Sequence, residues 1–139
     1  MNEIVEKSQA LVIIENLENH LKKLPQMENN VRHFMCVDGV YMREFSMPAG
    51  YVCTGKVHTT ESYTVITKGC VSIVNDSGEH LLMKAGDISY SKAGSKKAVY
   101  SIQDSLFLTV HHCDLKDIHE IESYLSVDTM EEYQKRIAK

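Results

Sequence analysis

The sequence has no excess of positive charge: 15 lysines and arginines stand against 19 aspartates and glutamates, a formal net charge of -4. This excludes the broad electrostatic footprint of a nucleic-acid-binding surface but leaves room for a local cationic pocket. Long hydrophobic runs are also missing. The longest, Ala10-Leu11-Val12-Ile13-Ile14, falls far short of the roughly 20 residues of a membrane span, so no membrane partner is expected. Cys36, Cys53, Cys70 and Cys113 form no Cys-x-x-Cys pair, and no basic segment with an apolar stretch marks a signal peptide. The cysteines therefore read as reduced, mostly buried thiols of a cytoplasmic protein. Internal repeats, a Gly-rich phosphate loop, a nucleophile elbow and zinc-ribbon spacing are absent as well.

What is present is enough for one core: 139 residues, 43% of them hydrophobic, form a single domain. Leu11, Ile14, Leu17, Leu21 and Leu24 recur at steps of three or four, which predicts an amphipathic helix from Glu3 to Leu24, ended by Pro25. Beyond Val31 the period becomes two, and turn residues punctuate the chain as in a barrel or sandwich of short strands. Asp38-Gly39, between His33–Val37 and Val40–Phe45, predicts a hairpin, and Asn75-Asp76-Ser77-Gly78 a second. Further strands are expected around Tyr51–His58, Tyr63–Thr67, Cys70–Val74, His80–Met83, Ile88–Ser91, Lys97–Ile102 and Ser105–His111. Helical spacing returns at Leu115, Ile118, Ile121 and Leu125, and Asp128 with Glu131 resembles a capping box opening a last helix. The organisation is an N-terminal helix and linker over 1–30, a β-barrel over 31–114 and one or two short helices over 115–139.

Two stretches carry a family resemblance. Pro48-Ala49-Gly50, Lys56-Val57-His58, Ser62 and Gly69 keep the spacing of one motif. Gly86-Asp87, the strand Ile88–Ser91, Lys92-Ala93-Gly94 and Lys97 keep that of a second. Together they resemble the paired motifs of the cupin superfamily, which implies a mainly β, cupin-type jelly-roll barrel. In that family His-x-His, a glutamate and a later histidine bind a metal; here lysines stand at two of those positions and a serine at a third. Gly55-Lys56-x-His58, Ser91-x-Ala93-Gly94, the paired Lys96 and Lys97, and Thr109-Val110-His111 are also similar to small cupin-like proteins encoded by bacteriophages.

An ammonium has no lone pair to offer a metal and repels it, so Lys56 and Lys97 argue against the usual cupin centre. Alternation along a strand puts Lys56 on the same face as His58. Buried ammonium groups need a countercharge, supplied by internal carboxylates such as Glu44 or Glu61, or by an anionic ligand. Arg43 adds a bidentate donor, and Tyr63, Tyr90 and Tyr100 are candidate walls. The competing reading leaves Lys56, Lys96 and Lys97 solvated at a barrel rim and the tyrosines in packing. A third reading assembles His58, Glu61 and His111 around one divalent Fe or Zn. It requires that His111, rather than His112, face inward.

Three functions follow as expectations. The first is a binding module without a cofactor for a small anionic molecule, a nucleotide or sugar phosphate, held by Lys56, His58, Lys97, Arg43, Glu61, Tyr63, Tyr100 and His111. If the chain is phage-encoded, it would sequester a host metabolite or signal in the host cytoplasm. The second is an enzyme, either metal-dependent or a metal-free isomerase or epimerase with His58 as base. The third is an interaction protein whose apolar helix face packs on the barrel or on a second subunit as a homodimer.

Overall fold

The computed structural model describes residues 7–28, 30–35 and 38–138. Helix α1 (Gln9–Leu21) opens on Ser8, whose hydroxyl accepts the Leu11 N–H at 3.0 Å, satisfying one of the donors a helix start leaves orphaned. It closes earlier than the apolar pattern suggested. The N–H groups of Lys23 and Leu24 bond to the carbonyls of His20 and Leu21, a tight turn that leaves Leu24 exposed. The predicted helical residues Glu3–Glu6 lie outside the described residues.

Ten strands follow: β1 (Val31–Met35), β2 (Val40–Met47), β3 (Val52–Thr54), β4 (Val57–His58), β5 (Ser62–Lys68), β6 (Cys70–Asn75), β7 (His80–Lys84), β8 (Ile88–Ser91), β9 (Lys97–Ser101) and β10 (Ser105–His112). The chain ends in α2 (Ile118–Leu125), β11 (Ser126–Val127) and α3 (Met130–Ile137). All pairings are antiparallel. They build a five-stranded sheet in the order β1-β2-β10-β5-β8, a four-stranded sheet β3-β9-β6-β7, and a small ladder β4-β11. This is the expected jelly roll with helices at both ends. Both predicted hairpins form, with Gly39 and Gly78 at positive φ, although the Cys36-Val37 end of the first lies outside the described residues.

Two local expectations need correction. The single strand read over Tyr51–His58 is two, because the chain leaves the four-stranded sheet after Thr54 and His58 pairs instead with Ser126 of β11. The last helix is capped one residue later than expected: the Thr129 hydroxyl, not Asp128, accepts the Glu132 N–H at 3.1 Å.

Met47, Ile66, Val71, Ile73, Met83 and Val99 pack between the two large sheets, with Phe45, Cys53 and Phe107 against them. Tyr41, Cys113, Ile121 and Leu125 form a second cluster where α2 meets β2 and the end of β10. Leu11 packs on Val57, Val127 and Met130. The helix thus buries Leu11 and Ile14 within its own chain, the first of the two packings expected for that face, while Val12 and Ile13 stay exposed.

Gly69 turns β5 into β6 at φ +87°, and a Cβ there would overlap the Ser105 side chain and the Asp104 carbonyl oxygen. Gly69→Ala is expected to cost about 2–3 kcal/mol through left-handed strain and overlap. Chemical denaturation checks this. A loss below about 1 kcal/mol, the ordinary scale for a surface substitution, would contradict it.

Candidate functional site

The strand alternation that builds the core also builds a cavity. Tyr41, Arg43 and Phe45 of β2, Thr64 of β5, and Phe107, Thr109 and His111 of β10 point from one sheet; Lys97 and Val99 of β9 and Cys53 of β3 face them from the other. Ile121, Glu122, Leu125 and Ser126 complete the wall from the C-terminal segment. The enclosed volume is about 340 Å³, near the lower end of the roughly 300–1,000 Å³ typical of small-molecule pockets.

His111 and not His112 faces inward: His111 is buried and His112 exposed. Its ring lies 5.8 Å from that of His58 and 5.9 Å from that of Tyr41, centroid to centroid. His111 Nε2 sits 3.1 Å from Thr109 Oγ1, and its Nδ1 is buried without a partner among the described residues. His58 Nδ1 is 3.4 Å from Ser62 Oγ. The Tyr41 hydroxyl is engaged by His33 Nδ1 at 2.5 Å. Burial pushes both inward imidazoles down to about 4; the charges of Lys97 and Arg43 add to the effect on each, and the His111 ring adds to it on His58. Both rings are therefore neutral at pH 7.

The three lysines of interest have three different fates. Lys56 is at the rim, its side chain 56% exposed and its Nζ 3.5 Å from Asp128 Oδ1, so it fits the rim reading although it lines the mouth. Lys96 is 1% exposed, and its ammonium bonds to Glu18 Oε2 and to the Gly55 carbonyl, each at 2.9 Å. It anchors α1 and is not part of the cavity. Lys97 alone reaches inward, donating to Ser91 Oγ, and burial holds its ammonium below the usual lysine range. Arg43 stacks over Phe45 at 5.8 Å, and its buried Nε has no partner among the described residues. Among the described residues neither Arg43 nor Lys97 enters an ion pair. Glu122 is the one acidic residue on the wall.

Three expected site residues are not in the cavity. Glu61 is exposed and accepts the Tyr90 hydroxyl at 2.8 Å. Tyr63 stacks edge-on against Tyr90 on the outer face of the sheet. Tyr100 is exposed on the outer face of the other sheet. The trio of His58, Glu61 and His111 is thus not brought together, and no group of three histidine, cysteine or acidic residues converges among the described residues. Two imidazoles with an ammonium and a guanidinium beside them are a poor donor set for a divalent ion. Conversely, Thr64, Ser95 and Glu122 line the cavity without having been picked out. Taking Tyr63 as a wall put Thr64 on the wrong face, since the two alternate; Ser95 lies just after a turn and Glu122 on a helix, where strand alternation gives no signal.

A barrel of two antiparallel sheets around a ligand-sized cavity defines the class. Its fold is that of the cupins. No family model matches the sequence, and no curated protein sequence matches it; the likeness is in the structure. A cupin superfamily protein from Desulfitobacterium hafniense superposes at TM-score 0.51 with 18% identity, covering 67% of this chain and 86% of that one. An RmlC-like cupin family protein with a double-stranded β-helix fold from Methanocaldococcus jannaschii gives 0.52 at 16% identity, covering 66% and 88%. The DMSP lyase DddQ from Ruegeria pomeroyi gives 0.55 at 17% identity, covering 68% of this chain and 53% of that one. Among the described residues no helix is long and apolar enough to cross a membrane.

Proposed function

We propose that the barrel is a metal-free binding module for a small anionic molecule of sugar phosphate or mononucleotide size. One observation carries this reading: Arg43 and Lys97 line a cavity with no salt-bridge partner among the described residues, where Arg43 Nε is also buried unbonded. Leaving a buried cation uncompensated is costly, and an anionic ligand removes that cost. The bare His111 Nδ1 and the unpartnered Thr64 and Ser95 hydroxyls suit the hydroxyl or N–H groups that such a ligand also carries. His58, lowered to about 4, is badly tuned as a general base at neutral pH, which favours binding over isomerase chemistry at that residue. Sequestration of a host metabolite belongs to the same proposal if the chain is phage-encoded.

Thermal shift with inorganic phosphate, sugar phosphates, mononucleotides and the matching neutral sugars and nucleosides tests it. The phosphorylated compounds are expected to raise Tm, since binding to the native state stabilises it. Arg43→Met is expected to weaken that binding by about 1.5–3 kcal/mol, the scale of a hydrogen bond to a charged group, or roughly 10- to 100-fold. Equal stabilisation by the neutral compounds would refute the reading.

A further inference from the structure

Lys97 has a setting that ion pairing does not need. Arg43 already supplies a permanent cation to the same cavity. Lys97 lines the cavity from the opposite sheet, on a wall shared with His58, His111, Phe45, Val99 and Phe107, and it also borders a second pocket lined by Ser91, Asp76 and Glu79. Its one hydrogen-bond acceptor among the described residues is the Ser91 hydroxyl, a neutral group that does not hold the amine in its charged form.

We propose that Lys97 captures an aldehyde or ketone that also carries an anionic group, forming an imine inside the barrel. The inference rests on the anion-binding reading, with Arg43 as the group that seats the carboxylate or phosphate. The neutral Lys97 amine attacks the carbonyl carbon, forming the C–N bond as the C=O π bond breaks. One proton then passes from nitrogen to the former carbonyl oxygen. The resulting carbinolamine loses that hydroxyl with the second nitrogen proton as water and leaves C=N. No oxidant or reductant enters. Burial, which lowers the ammonium pKa of Lys97, enlarges the neutral fraction that the first step requires; the Asp76 carboxylate opposes it more weakly. A desolvated lysine beside apolar side chains is a known route to this chemistry.

The test is reductive trapping. The full-length protein is incubated with pyruvate, which joins a ketone to a carboxylate, then reduced with sodium borohydride and mapped by peptide mass. One reduced adduct on Lys97 is expected, and it should be lost in Lys97→Met and on competition with lactate, which has the carboxylate but no carbonyl. A pyruvate-dependent rise in Tm with no adduct overturns the imine and leaves anion binding intact. Label spread evenly over exposed lysines such as Lys22 and Lys68 also overturns it. If neither pyruvate nor inorganic phosphate shifts Tm and no adduct forms, both readings fall.

Discussion

Replacing Glu18 by alanine is expected to destabilise the fold by about 3 kcal/mol or more, the scale found when one partner of a buried ion pair is removed. Glu18 is the only carboxylate within salt-bridge reach of Lys96 among the described residues, and Lys96 is almost wholly enclosed. Without it the ammonium keeps only the Gly55 carbonyl. The reverse substitution, Lys96→Met, should cost much less. Glu18 retains the Thr54 hydroxyl at 2.9 Å, with Lys22 Nζ 3.9 Å away and solvent nearby. Urea denaturation of both variants reads this asymmetry, and equal losses would show that the pair is not the buried-charge contact described. The effect should extend to the cavity. Lys96 ties Gly55, on the cavity mouth, to a helix some forty residues earlier in the chain.

The second large effect is loss of stability in acid. His58 and His111 titrate near 4 in the fold, against an ordinary value of 6.5. Between those values the unfolded chain binds protons that the native state does not, so stability rises with pH. The contribution is complete above about pH 6.5 and falls as pH drops toward 4, reaching on the order of several kcal/mol for the pair. Denaturant midpoints between pH 7.5 and 4.5 should fall most steeply below 6.5. In a His58→Gln, His111→Gln double variant that slope should flatten; an unchanged slope would assign the acid sensitivity to other groups.

The barrel was legible because its signals are local. Period-two patterning located the strands, and Asp38-Gly39 and Asn75 to Gly78 located hairpins without any knowledge of partners. The pocket was legible only as far as alternation was followed consistently. The same parity that turns Lys97 inward turns Tyr100 outward, and Thr64 inward implies Tyr63 outward. Glu61 lies just before β5 and is exposed, next to the buried Ser62, so lying near His58 in the chain did not bring it to the His58 side of the sheet. Lys96 lay beyond any local reading. Its burial depends on Glu18, 78 residues away, and nothing in the neighbouring Lys97 distinguishes a structural ammonium from one that faces a ligand. The β4-β11 ladder was equally silent, since two residues are too short to show a period.

Ile121, Glu122, Leu125 and Ser126 reach the cavity from a stretch of chain that follows the last barrel strand and is stitched back by two residues of ladder. None of them belongs to the cluster of Met47, Ile66, Val71, Ile73, Met83 and Val99 that fills the barrel. Part of the cavity wall and the core between the two large sheets are thus written in different parts of the sequence. Glu122 and Ser126 lie on the wall but outside both that cluster and the one Ile121 and Leu125 form with Tyr41, so substitutions at these two positions reshape the cavity while the sheets keep their packing.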